Sequence, residues 1–294
     1  MNPALLGSFA WKTGVAAVRV RLLEARDIAR LAALMQSEGW ATTALDLGRY
    51  LDLSPEGCFV LEGEGGPVGL ITTVSYGEVA WLGNLILEPP LRGRGLGHRL
   101  LTHALEWLEA QGIRSVYLES VPEAQGLYLR AGFSPYHRVV KFEGKAPGGG
   151  EPLPSPGQVG PAEQERVLEM DRAGWKVDRG RVLALMLRAA SLFFEPGAFL
   201  MASRVGADRW RLGPWGSAQP GEAAAVSVLE RCLGALAPGA EVVAEAPGLN
   251  GPALKALRAV GLRPVRENII MRRGPGAGED LSLVWALASA GDLG

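Results

Sequence analysis

The sharpest chemical signal in the chain is Arg92-Gly93-Arg94-Gly95-Leu96-Gly97-His98. It follows the apolar run Leu85-Ile86-Leu87 and opens a segment of helical periodicity, so the spacing predicts a strand, a glycine-rich loop and a helix N-terminus. The first-turn amides of a helix have no intrahelical acceptor, and the helix dipole adds about half a positive charge at that end. Glycines let those amides approach a phosphate with no side chain in the way. Arg92, Arg94 and Arg99 bring positive charge to the same place. The spacing is neither the dinucleotide fingerprint G-x-G-x-x-G nor a P-loop, which needs a Lys-Ser/Thr after the last glycine.

Elements on both sides must hold this loop. Upstream, Ala17–Leu23 alternates as a strand, Asp27 stands where an N-cap belongs ahead of Ile28, Leu31, Leu34 and Met35, and Thr43–Leu51 reads as a second short helix. Cys58–Glu62, Val68–Ser75 and Val79–Leu87 are strand-like runs separated by turn residues. Downstream, Leu96, Leu100, Leu101, Ala104, Leu105 and Leu108 line one helical face, and His98, Thr102, Glu106 and Glu109 line the other. A strand at Ser115–Glu119, a short helix at Glu123–Arg130 and a strand at Arg138–Phe142 close this half. Eleven of the eighteen residues from Gly144 to Pro161 are Gly or Pro, which predicts a linker. Beyond it the element order echoes the first half, as a diverged repeat would. The expected fold class is therefore α/β, a mixed sheet flanked by helices in each of two tandem halves. The boundaries are an N-terminal tail at 1–16, a first domain at 17–143, the linker at 144–161 and a second domain at 162–294.

Composition narrows the function. The 294 residues carry a formal net charge of −1, which gives no long-range attraction to nucleic acid or an anionic membrane, and neither is an expected partner. Two cysteines, Cys58 and Cys232, make no disulfide framework. The first residues lack a basic stretch followed by an apolar core, and no apolar run reaches the roughly 18 residues of a membrane span. The expectation is a cytoplasmic protein. His98, His103 and His137 lack metal-ligand spacing, and helix-surface positions account for the first two, so no metal is expected.

The segment Arg92 to Gly97 resembles the acyl-CoA loop of the GNAT N-acetyltransferase superfamily, Arg/Gln-x-x-Gly-x-Gly/Ala. Leu127-Tyr128-Leu129-Arg130-Ala131-Gly132-Phe133 is similar to that family's Leu-Tyr-x-x-x-Gly-Phe. The resemblance spans roughly Val18 to Gly144. It implies that the backbone amides of Arg94, Gly95, Leu96, Gly97 and His98 bind the pyrophosphate of acetyl-CoA, with Arg92 and Gly93 as further cofactor-binding residues of the loop. It implies too that the edge of Leu85, Ile86 and Leu87 pairs with the pantetheine arm, with an amide near Leu87 facing the thioester carbonyl. Tyr128 would protonate the departing thiolate, whose pKa lies near 8.5, from a phenol near 10. The acceptor is then a primary amine, attacking directly in a ternary complex. Losing a proton at pH 7 costs an amine of pKa about 10 roughly 4 kcal/mol. Glu119 and Glu78 are strand-end carboxylates that could relay it, Asn84 is a candidate lining residue, and Trp40 is a candidate wall of the acceptor pocket. Where the family often has Asn seven residues before the tyrosine, Val121 stands here.

The second half resembles the same fold with its chemistry eroded, as in bacterial tandem GNAT proteins. Asn250 to Leu262 follows the tyrosine motif loosely, with Leu257 in the tyrosine position. Gly213-Pro214-Trp215-Gly216-Ser217 and Gln219-Pro220-Gly221-Glu222 stand where the phosphate loop belongs. By that resemblance the second half shapes the acceptor pocket or a dimer surface, so a homodimer is among the expected assemblies. The competing expectation from another class is a non-catalytic acyl-CoA sensor in which Tyr128 is structural.

Overall fold

The computed structural model describes residues 9–12, 17–40, 42–289 and 293. Two compact units emerge. The first comprises Met1–Leu118, Ala124–Ser134 and Arg272–Pro275; the second comprises Glu119–Glu123, Pro135–Met271 and Gly276–Gly294.

In the first unit, β1 (Phe9–Lys12), β2 (Ala17–Leu22), β3 (Phe59–Gly63), β4 (Gly66–Tyr76) and β5 (Val79–Leu87) are neighbours in chain order and antiparallel. The next strand, β6 (Ser115–Ser120, to Leu118 in this unit), runs parallel to β5. Helices α1 (Ile28–Ser37) and α2 (Ala44–Leu53) precede β3, α3 (Leu96–Ala110) crosses from β5 to β6, and α4 (Gln125–Arg130) follows β6. Residues 9–12, expected in a tail, are instead a sheet strand, in register from Phe9↔Val20 to Lys12↔Ala17. The rest of that expected tail, residues 1–8 and 13–16, lies outside the described residues.

Local chemistry explains most of these boundaries. Thr43 caps α2 as expected: its hydroxyl accepts the Asp46 amide at 3.1 Å while Asp46 accepts the Thr43 amide at 3.0 Å. Asp27 does not cap α1. It sits in a helical conformation inside the 3-10 turn Ala25–Asp27, and its carboxylate takes both terminal nitrogens of Arg21, at 2.6 and 2.8 Å. In α3 the buried face is the expected one, widened by His103 and Trp107. His103 is thus not a surface residue. Its ring lies edge-on to Phe59 at 4.6 Å, and burial pushes its pKa down, which keeps it neutral.

The second unit contains β7 (Ser134–Lys145, from Pro135 onward), α5 (Pro161–Trp175), α6 (Gly180–Leu187), β8 (Ser191–Glu195), β9 (Ala198–Arg204) and β10 (Arg209–Ser217). It continues with α7 (Ala223–Ala235), β11 (Glu241–Pro247), α8 (Gly251–Ala259), β12 (Arg263–Arg273, to Met271) and β13 (Val284–Ala286). Its strand order is β12-β7-β11-β10-β9-β8, with β13 added on β10. Phe142, Leu200, Leu212, Trp215, Leu229, Leu257 and Trp285 build its core. The order α-α-β-β-β-α-β-α-β runs twice, from α1 to β7 and again from α5 to β12.

The expected border at residue 144 is not where the chain divides. β7 is in register with β11 from Val139↔Pro247 to Lys145↔Glu241, and this pairing ties it to the second unit. The Gly/Pro-rich stretch is likewise not a free spacer. Ala146 donates to Ala240 and Gly150 to Gly234, each at 2.9 Å, and Ser191 Oγ donates to the Pro154 carbonyl at 2.5 Å. No described helix is long and apolar enough to cross a membrane.

Candidate active site

The glycine-rich loop lies in the first unit, between the end of β5 and α3. A 3-10 turn at Pro89–Leu91 leads out of the strand, and Arg92 is extended. Gly93 and Gly95 then adopt φ of +73° and +77°, left-handed values that side chains rarely take. A Cβ at either position would meet nothing within 4 Å, so backbone conformation and not crowding calls for glycine here. Gly95 is the N-cap of α3 and supplies no capping side chain. The first helical hydrogen bond runs from the Arg99 amide to the Gly95 carbonyl at 3.1 Å, and the amides of Leu96, Gly97 and His98 precede it without an intrahelical acceptor. An uncapped, dipole-facing helix end is built to receive an anion.

The arginines divide their labour differently from the expectation. Arg92 Nε donates to the Leu87 carbonyl at 3.0 Å, and its Nη2 pairs with Glu38 Oε1 at 3.0 Å. Its guanidinium therefore ties the end of β5 to the end of α1. Arg94 is exposed and forms no ion pair among the described residues, which makes it the available cation of the loop.

The strand leading to the loop is unusual on both edges. β5 and β6 pair only from Val79↔Ser115 to Trp81↔Tyr117, and β5 continues to Leu87 beyond that register. The β6-facing edge of Leu85, Ile86 and Leu87 is thus left for another partner. On the other edge the register with β4 shifts between Leu70↔Ile86 and Thr72↔Gly83, so Asn84 and Leu85 oppose the single residue Ile71. Asn84 sits in this bulge with φ +52°, buried, and its Nδ2 donates to Thr72 Oγ1 at 2.9 Å.

Tyr128 lies on α4. Its carbonyl accepts the Phe133 amide at 3.1 Å and its ring meets Phe133 edge-on at 6.0 Å. Leu127, its neighbour, comes within 4.0 Å of where a Cβ on Gly97 would stand, so α4 borders the loop helix. Burial pushes the Tyr128 phenol up to about 12, which keeps it protonated at neutral pH.

Other candidates are placed differently. Trp40 follows α1 with 39% of its surface exposed, its amide bonded to the Met35 carbonyl. Glu78 is at the opposite end of β5 from the loop, solvent-exposed and paired with Arg114 at 3.2 Å. Glu119 belongs to the second unit, where Asn268 Nδ2 donates to its Oε1 at 2.5 Å. Thr72 and Asn268 are polar partners that the sequence reading missed; each becomes visible only through a strand register.

The second unit has the corresponding elements without the corresponding space. Gly213–Ser217, expected in the loop, lies within β10. β10 and β11 pair in parallel from Arg209↔Glu241 to Leu212↔Ala244. Where they part, β13 enters, with Trp215↔Ala286 and Gly216↔Val284 in antiparallel register. Leu287 donates to the Glu245 carbonyl at 2.8 Å on the far side of the gap. Asn250 Nδ2 holds this strand through the Ser282 and Val284 carbonyls at 3.1 and 2.8 Å, while its Oδ1 caps α8. Leu257, in the tyrosine position, is fully buried.

Residues 25–133 match the model of the acetyltransferase (GNAT) family. Holothin acyltransferase from Pseudoalteromonas sp. (strain SANK 73390) is 24% identical over 266 residues, covering 86% of this chain and 87% of that protein. Among solved structures, a putative acetyltransferase from Pyrococcus horikoshii superposes with a TM-score of 0.79 at 21% identity, over 94% of this chain and 95% of that one. A tandem GNAT protein from the clavulanic acid biosynthesis pathway superposes with a TM-score of 0.61 at 15% identity, over 90% and 99%. These likenesses extend the fold similarity over both halves of the chain.

Proposed function

We propose that this chain, which carries a GNAT-family acetyltransferase domain at residues 25–133, is an acyl-CoA-dependent N-acyltransferase that transfers acetyl to a primary amine. The observation that carries the reading is the uncapped N-terminus of α3 at left-handed Gly95, standing beside a β5 edge that β6 leaves unpaired. The loop amides and Arg94 would take the pyrophosphate, and the Leu85–Leu87 edge would align the pantetheine arm. The first half is the catalytic domain on this reading, and the second half takes no acyl-CoA because β13 fills the equivalent gap.

The chemistry follows from these positions. The amine nitrogen attacks the thioester carbonyl carbon, and negative charge gathers on the carbonyl oxygen, where a backbone amide near Leu87 can stabilise it. The C–S bond then breaks and the sulfur takes the Tyr128 proton. Transfer from a phenol held near 12 to a thiolate whose thiol has a pKa of about 8.5 is uphill on its own, so it is coupled to the loss of the more acidic proton on the attacking nitrogen. The ammonium product of attack loses its proton to solvent, and Tyr128 regains one.

The test is release of free CoA from acetyl-CoA in the presence of a panel of primary amines, with calorimetric titration of acetyl-CoA alongside. Amine-dependent release is the expected result. Binding without release for any amine would favour the sensor, and absence of binding would remove the loop assignment.

A further inference from the structure

We propose that the hydrogen bond from Asn84 Nδ2 to Thr72 Oγ1 is a positioning lock for acyl transfer, holding the β5 bulge so that the backbone of Leu85 to Leu87 keeps one register at the open edge. The proposal rests on the acyltransferase reading above and goes beyond it by giving Asn84 and Thr72 a role in positioning the strand.

Asn84 and Lys176 are the described non-glycine residues with positive φ. A left-handed conformation at a residue with a side chain is strained and persists only where its surroundings hold it, with Asn among the side chains that tolerate it best. The surroundings here are explicit. Thr72 is fully buried on β4, Asn84 is buried on β5, and the bond between them spans the bulge at 2.9 Å. The bulge falls after the last β5–β6 pair, Trp81↔Tyr117, and immediately before the unpaired edge Leu85–Leu87. A regular ladder in its place would shift β5 by one residue and turn that whole edge over. An oxyanion donor is effective only within a narrow range of position, so the lock acts on the transition state more than on binding.

Thr72→Val removes the hydroxyl at nearly constant volume, and Thr72→Ser keeps it. Asn84→Gly keeps the left-handed backbone and removes the bond. Expected for both Thr72→Val and Asn84→Gly is a kcat lower by about 10–100-fold with the acetyl-CoA KM nearly unchanged, and near wild-type kcat in Thr72→Ser. In the unliganded protein the same two variants are expected to exchange the Ile86 and Glu88 amide hydrogens, on the β4 side of the strand, at least about tenfold faster than wild type. A Thr72→Val enzyme with full kcat, or a Thr72→Ser enzyme as slow as Thr72→Val, overturns the lock. So do unchanged exchange rates in both variants, which read it without any substrate. A wild-type protein that releases no CoA, yet exchanges these amides faster when the bond is cut, overturns the acyltransferase reading and with it the catalytic role of the bond, leaving only its hold on the bulge.

Discussion

The two halves repeat one element order and differ in what finishes the sheet. In the first unit β5 leaves β6 after three paired residues, and the strand runs on into the loop that ends at the uncapped start of α3. In the second unit β10 leaves β11 after four, and the chain's own β13 occupies the gap. Asn250 shows how far the substitution goes: its side-chain amide holds two carbonyls of the segment around β13. A site of this kind is an unfinished sheet beside an uncapped helix. Completing the sheet with a strand satisfies the same backbone groups permanently and removes the need for a ligand.

The largest expected effect breaks this comparison at the loop. Gly95→Asp places a carboxylate where the pyrophosphate would sit, and calorimetry is expected to show no measurable acetyl-CoA binding. Gly221→Asp is the matched change in the second half, at a left-handed glycine with open space around it just before α7. It is expected to leave affinity and a stoichiometry of about one acetyl-CoA per chain intact. Equal losses from both substitutions would mean that the halves are not functionally distinct.

Next in size is Tyr128→Phe, expected to lower kcat by about 10²–10⁴ with little change in acetyl-CoA affinity. Steady-state kinetics with the best amine of the panel reads it. Full activity would return Tyr128 to the role Leu257 has in the second half, a core side chain on a short helix.

How much of this was legible in the sequence follows the range of the interactions. β5 and the start of α3 stand where the sequence puts them, because Gly93, Gly95 and the leucine periodicity are local signals. The Thr43 cap is equally local. The double commitment of Arg92 to Leu87 and Glu38 was not legible, since it depends on how α1 packs beside β5. Asp27 looked like a cap because its partner Arg21 lies on a preceding strand. β8, in the apolar run after α6, carried no alternation to separate it from a helix end, yet it completes the repeat. The unit border was hidden for the same reason: composition marks the Gly/Pro stretch, whereas the β7–β11 register, set by residues about a hundred positions apart, decides where β7 belongs.

A smaller effect sharpens the comparison at Asn250. Asn250→Ala removes the α8 cap and both bonds to the β13 segment, and loss of a cap alone is worth about 1 kcal/mol. The Ser282 and Val284 carbonyls also lose a donor, so destabilisation of about 2–3 kcal/mol is expected from urea unfolding. Acetyl-CoA affinity is expected to stay unchanged, because the strand held by Asn250 belongs to the half that takes no acyl-CoA on the proposed reading. A variant that instead gained a second acetyl-CoA site would show that β13 is a displaceable plug.

The smallest effect is the pH dependence of Tyr128. Its folded pKa, raised by burial to about 12, exceeds the unfolded value near 10, so the folded state binds the phenolic proton more tightly. The stability tied to that proton is complete below pH 10 and is lost progressively as pH rises from 10 toward 12. The other tyrosines titrate in both proteins, so the useful quantity is the difference in urea midpoint between wild type and Tyr128→Phe. Wild type is expected to lose ground to the phenylalanine variant from pH 9 to pH 11. A difference independent of pH would mean that the hydroxyl reaches solvent and that the acid in the transfer step is not held dry.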